Sequence, residues 1–194
     1  MNEQQTGIEK RLTRSFAKMS AITVAVAVLG LIALLVVSNR YAYALHNFGF
    51  AQGDIGKAMF EFADVRSSLR AAIGYDEEDV IAMVVEQHAS SKAAFEEDFA
   101  KIEETIVSEE GRKTYDEIKA ELETYWELDT KIMELGATTD RELCKQAQEI
   151  AINDLAGVYN SIYTKLDGLL DVKVNEGNSL SATLNVVDWI LVAV

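Results

Sequence analysis

Proline is absent from all 194 residues, cysteine occurs once and histidine twice. The missing proline fits long uninterrupted helices, because proline inside a helix removes a hydrogen bond and clashes with the preceding turn. The lone Cys144 excludes an intrachain disulfide framework and any multi-cysteine metal site. His46 and His88 show neither HxxxH nor HExxH spacing and are expected as surface or seam residues, so no metal site is expected. Positive charge is also scarce. Eighteen Lys and Arg stand against 32 Asp and Glu, a formal charge of −14, which is the wrong sign for a nucleic-acid surface. The acid pairs Glu96-Glu97 and Glu103-Glu104 are adjacent residues that point apart on a helix, so no acid–base dyad is indicated. Nothing argues for catalysis or a cofactor. "FGFAQGDIG" places Gly49, Gly53 and Gly56 on nearly one helical face, but it follows no strand and is no phosphate loop. Close helix packing is the expectation there.

What the chain does have is a long apolar run. From Met19 to Asn39 there is no charge, and Lys18 and Arg40 bracket the stretch. About 20 apolar residues at a rise of 1.5 Å cover a hydrocarbon core of roughly 30 Å. A cleaved signal peptide is the alternative, and Ala42-Tyr43-Ala44 has the small-residue pattern of a cleavage site. The run is longer than the apolar region of such signals, so a retained membrane helix is expected. Lys10, Arg11, Arg14 and Lys18 precede it, which leaves the N-terminus in the cytoplasm and sends the rest outward across the cell membrane. After Asn175–Ser179 the chain ends in "LSATLNVVDWILVAV", with Trp189 where an interfacial aromatic would sit. That end is expected to be a second membrane helix cut off near its start. The expected organisation is a cytoplasmic tail (1–18), a transmembrane helix (19–39), an extracytoplasmic domain (40–180) and the start of a second span (181–194).

Residues 40–180 hold 14 of the 18 basic and 29 of the 32 acidic side chains. Three turns divide them. Gly74 suits a helix stop with Asp76 as the following cap and Asp79 in the first turn. Ser108 suits a cap with Glu109 and Glu110 behind it. Gly136 suits a stop with Thr139-x-x-Glu142 as a capping box. Apolar seams at alternating spacings of three and four accompany these turns. They run through Phe48, Gln52, Ile55, Met59, Phe62, Arg66, Leu69 and Ile73; then Ile81, Val85, His88, Lys92, Phe95, Phe99, Ile102 and Ile106. The third takes Tyr115, Ile118, Leu122, Tyr125, Asp129 and Ile132, and the fourth Leu155, Val158, Ile162, Leu166 and Leu169. Tyr163 and Trp126 are expected as further core or groove aromatics. Heptad spacing with short turns predicts an all-α fold: a membrane-anchored antiparallel four-helix bundle, up-down-up-down, continuous with transmembrane helices.

Arg66 and Arg70 lie four residues apart in "FADVRSSLRAAIGYDEEDV" with no acid in helical reach of either. Two like charges at that spacing repel by roughly 0.2–0.5 kcal/mol, and a buried unpaired charge costs several kcal/mol. A carboxylate must therefore come from another helix, a second chain or a ligand. Internal partners would be Asp76, Asp79, Asp140 or Glu142; the functional alternative is an anion site built on forked guanidinium groups.

The order of parts, together with "YALHNFGFAQGDIGKAMFEFADVRSSLRAAI" and "YDEIKAELETYWELDTKIMELG", resembles the sensor half of methyl-accepting chemotaxis receptors with four-helix-bundle input domains. The resemblance covers essentially the whole chain. It implies a homodimer formed through the first bundle helix, in contact with membrane lipids. It also implies a ligand site near the membrane-distal end, between subunits. Arg66 and Arg70 match the family's R-x-x-x-R spacing, and Gln146 is the candidate among the polar residues near the start of the fourth helix. The implied ligand is a small anion or a ligand-loaded binding protein. A third arginine of the aspartate-type receptors falls at Glu61 here, which speaks against an amino-acid ligand. A downstream kinase complex would be reached only through a cytoplasmic part beyond Val194. The alternative output is a sensor histidine kinase or nucleotide cyclase carrying the same input domain.

Overall fold

The computed structural model describes the backbone of residues 3–193 and side-chain surroundings for 7–184. Six α-helices carry it: α1 (Glu3–Ala44), α2 (Ala51–Gly74), α3 (Glu78–Thr105), α4 (Glu109–Gly136), α5 (Arg141–Ile150) and α6 (Ala156–Ala193). Two π-helical turns, Leu45–Phe50 and Ala151–Leu155, link α1 to α2 and α5 to α6. No strand occurs among the described residues. The chain divides into two compact units, Ala44–Asn185 and a second made of residues up to Tyr43 together with those from Val186.

In the second unit, α1 holds the uncharged run. Its apolar window has a mean hydropathy of 2.8, is long enough to cross a membrane, and has none of its length buried. Ile22, Leu29 and Leu34 all lie exposed. Such a surface is unfavourable in water and fits a membrane location. The expected second span rests on side chains after Asn185 and lies outside the described residues.

The larger unit is a four-helix bundle of α2, α3, α4 and the α5–α6 rod. In α4 all six seam residues predicted by spacing are buried: Tyr115, Ile118, Leu122, Tyr125, Asp129 and Ile132. The seam of α2 is shifted. Phe48, Ile55, Phe62, Leu69 and Ile73 are buried, but their companions are Ala51, Ala58, Val65 and Ala72. Gln52, Met59 and Arg66 lie half-exposed on its flank. Alanines pack inward there because short side chains let neighbouring backbones approach. In α3 the inward positions include Val84, Ser91 and Thr105, where Val85, Lys92 and Ile106 were expected. In α6 Tyr159 replaces Val158 in the seam. Aromatic rings fill the middle. Phe62 lies 5.0 Å from Phe95, 4.7 Å from Tyr125 and 4.9 Å from Tyr159, centroid to centroid. Trp126 is half-buried against this cluster, and Tyr163 lies exposed beside Tyr159.

The turns obey local chemistry with some changes of residue. Ser108 caps α4, its hydroxyl accepting from Gly111 N at 3.1 Å. Asp140, not Thr139, caps α5 by accepting from the amides of Glu142 and Leu143. Asp76 caps nothing; Glu77 occupies that position without a side-chain bond, and Asp76 pairs with Arg141 instead. No described glycine has positive φ, so neither Gly74 nor Gly136 is a left-handed stop. Gly136 serves close approach. A Cβ there would meet Ile73 Cγ1 at 2.7 Å and Ala147 Cβ at 3.0 Å, where α2, α4 and α5 converge. Gly136→Ala should therefore destabilise the bundle by about 1–3 kcal/mol through overpacking. Urea unfolding would show a lowered midpoint at unchanged slope.

Candidate functional site

Arg66 projects from the flank of α2, and its guanidinium lies 4.1 Å over the ring of Tyr159 on α6. A half-exposed arginine on an aromatic face keeps its charge hydrated while its stem covers apolar surface. That removes the penalty expected of an unpaired charge in the seam. Burial pushes the Tyr159 phenol up from its ordinary range, and the neighbouring Arg66 opposes that shift. Arg70, one turn further along, is exposed. Among the described residues no ion pair joins either arginine to a carboxylate, and Asp76, named above as an internal partner, is held by Arg141.

Gln146 is exposed on α5, one residue before Ala147, which packs against the Gly136 and Ile73 junction. It therefore lies near the Arg70 end of the bundle, but among the described residues no hydrogen bond joins it to either arginine. The cleft at that end is lined by Glu78, Ile81, Val85 and Thr138 and includes none of the three. Glu61, where a third arginine was sought, sits among acids. Burial, Asp64 and Asp98 together push its carboxyl up from its ordinary value.

On the outward side of α2, Gly53, Gly56, Phe60, Ala63, Ser67, Arg70 and Gly74 repeat at alternating spacings of three and four. All are exposed except half-buried Ala63; a Cβ added at Gly53 or Gly56 meets nothing within 4 Å. This is a second heptad stripe, left exposed among the described residues, and Arg70 belongs to it.

Two buried polar clusters escaped the sequence reading. His88 on α3 places Nε2 at 3.1 Å from Asp129 Oδ2 on α4, and Nδ1 at 3.1 Å from Ser68 Oγ and 3.2 Å from Val65 O on α2. An ionised carboxylate only accepts, so Nε2–H donates to Asp129. Nδ1 then either accepts from the Ser68 hydroxyl or, when protonated, donates to Val65 O. A Ser-His-Asp order invites comparison with a nucleophilic triad. Ser68 is buried, however, and its hydroxyl also reaches Asp64 O at 2.8 Å and Val65 O at 3.0 Å. The trio ties three helices together. His88 and Asp129, two of the polar residues on the predicted seams, lie a few turns from the same end of the bundle, and equal height was the signal that pairs them.

The second cluster centres on Lys173 of α6, which is 1% exposed. Its ammonium donates to the carbonyl of Thr105, the last residue of α3, lies 3.8 Å from Glu176 and faces the Phe48 ring. A cation supplied by one helix thus caps the negative end of another. Burial lowers the Lys173 pKa from its ordinary 10.5, with Glu176 opposing. The unfolded chain then holds this proton to higher pH than the folded one, so folding gains stability as pH rises between the two values. Relative to Lys173→Met, the wild type should gain stability as pH approaches 10.5 in parallel urea titrations.

Residues 5–187 match the model of a protein family described as a four helix bundle sensory module for signal transduction. No match was found among curated proteins.

Proposed function

Because the chain belongs to the four-helix-bundle sensory modules for signal transduction of methyl-accepting chemotaxis proteins, we propose that it is the ligand-sensing, membrane-spanning portion of a bacterial chemotaxis receptor. The N-terminal tail is cytoplasmic, α1 crosses the membrane through its uncharged run, and the bundle stands outside in up-down-up-down order. Support for the crossing comes from the exposed apolar side chains of that run and the basic residues before it. Support for the order comes from the contacts at its two ends, Gly136 with Ile73 and Gly177 with Phe48.

The observation that carries the sensing role is the outward stripe of α2. Small residues at heptad spacing suit a second copy of this chain, and the stripe would set Arg70 of each copy near the subunit boundary. With no ion pair to a carboxylate among the described residues, Arg70 is available to a small anion or to an acidic surface of a ligand-loaded binding protein. Arg66 supports it one turn away. The acidic surroundings of Glu61 disfavour a ligand that presents a second carboxylate there. Binding signals only through its differential affinity for two arrangements of the bundle, in the family a slide of the last helix by about 1–2 Å.

The test is a melting-temperature screen of the full chain in detergent micelles against carboxylates and amino acids. A ligand at a hundredfold its Kd stabilises by about 2.7 kcal/mol. Arg70→Ala should abolish that gain without changing the unliganded melt, since Arg70 is exposed; Arg66→Ala should reduce it. In the same background Gly53→Cys, with Cys144 replaced by alanine, should crosslink between chains in membranes. Destabilisation of the unliganded protein by both arginine substitutions, with no anion shifting the wild type, would defeat the reading.

A further inference from the structure

The residues before the uncharged run form an amphipathic surface that the sensing role does not use. Within α1, Ile8, Leu12, Phe16 and Met19 are 65%, 59%, 63% and 67% exposed. Lys10, Arg11, Arg14 and Lys18 are exposed as well. At about 100° per residue, the four apolar side chains fall within an arc of about 80°, and the four basic ones within an arc of about 100° on nearly the opposite side. Glu9 is the one acid among residues 7–19. Among the described residues no ion pair engages any of the four cations, although the chain as a whole carries a charge of −14. Acid is abundant elsewhere, and the cations are segregated here without it.

We infer that residues 8–18 are a contact for anionic lipid headgroups, with Leu12 and Phe16 seated at the headgroup–acyl boundary of the cytoplasmic leaflet and the basic stripe on the phosphates. This rests on the membrane-spanning reading of α1. Charge complementarity and position choose the occupant. The stripe ends at Lys18, directly before the uncharged run, and a helix with one apolar and one basic face binds anionic membrane surfaces. The helix is unbroken from Glu3 to Ala44, so the contact is reached by tilt and not by a bend. Leu12 lies seven residues before Met19, about 10 Å along the axis. The headgroup layer is about 5–7 Å deep on each side. A tilted helix therefore brings the underside of this segment into that layer while Lys10, Arg14 and Lys18 extend outward to phosphates.

The experiment uses the full chain with Cys144→Ala, carrying one environment-sensitive nitrobenzoxadiazole label at Leu12→Cys, Phe16→Cys, Thr13→Cys or Leu29→Cys. Each is reconstituted in vesicles of phosphatidylcholine alone or phosphatidylcholine mixed with phosphatidylglycerol. We expect blue-shifted emission, protected from an aqueous quencher, for the labels at 12 and 16 but not 13. The protection should appear only in the anionic vesicles and be lost at high salt. The label at 29 should be protected in both. Labels at 12 and 16 as wet as the label at 13, with 29 protected, would overturn the lipid contact and leave the span intact. Equal protection of 12 and 16 on neutral vesicles would overturn the anionic specificity. A wet label at 29 would overturn the span and this inference with it.

Discussion

Phe62→Ala is expected to lower the stability of the bundle by about 3–5 kcal/mol, the range for removing a large aromatic from a packed core. Phe62 is fully buried and its ring touches those of Phe95, Tyr125, Trp126 and Tyr159, which come from α3, α4 and α6. No other described side chain makes so many ring contacts. Removing it leaves a cavity that rigid neighbouring rings fill poorly, and the stacked pair with Tyr159 and the edge-to-face pair with Trp126, worth about 0.5–1.5 kcal/mol each, are lost as well. Phe62→Leu keeps much of the volume and should lose less. Urea unfolding followed by circular dichroism measures both. A loss under about 1 kcal/mol for the alanine variant would mean that the site collapses and the packing described is not the one in solution.

His88→Leu is the second large effect. Asp129 is buried, its Oδ1 has no hydrogen-bond partner among the described residues, and its Oδ2 accepts from His88 Nε2. Removing the imidazole strands a carboxylate inside the bundle at a cost of about 3–5 kcal/mol. Burial, then the Asp129 charge, already pushes the neighbouring Tyr125 phenol far up from its ordinary range. That is the field an unpaired carboxylate would exert more strongly. Replacing both partners removes the stranded charge, so His88→Leu/Asp129→Leu should be more stable than His88→Leu alone, a coupling that a double-mutant cycle reads directly. A loss in the double variant equal to the sum of the two single-variant losses would show that the two side chains do not act as a pair.

How far the fold is legible from residues differs helix by helix. In α4 one narrow stripe stands among charged neighbours, and spacing alone finds the six large buried side chains, leaving the buried glycines Gly111 and Gly136 outside the seam. In α2 two stripes share the helix. Hydrophobicity alone favours Met59 over its alanine neighbours, while close packing selects the alanines, a decision made by the neighbouring helices. The same ambiguity put Arg66 in the seam, although its long stem lets it stand on the flank against Tyr159. The arginine pair itself was visible as two cations without local acids. Its aromatic neighbour was not, because Tyr159 is 93 residues away and reached only through the fold. Lys173 was invisible for the same reason: the carbonyl it caps belongs to a helix end defined by a different turn.

The inward positions of the last rod hold one surplus residue in their arithmetic. Along most of it they step by three and four in turn, through Tyr159, Ile162, Leu166, Leu169 and Lys173. From Ala147 through Ala151 and Leu155 to Tyr159 they step by four three times running, one residue more than the alternation allows, and the π-helical turn Ala151–Leu155 takes up that surplus. A π turn is a one-residue insertion absorbed without a loop. A chain one residue shorter between Ala147 and Tyr159 would close into plain α-helix with every later inward face preserved, so the length of this rod can change at that turn while the rest of the bundle keeps its register.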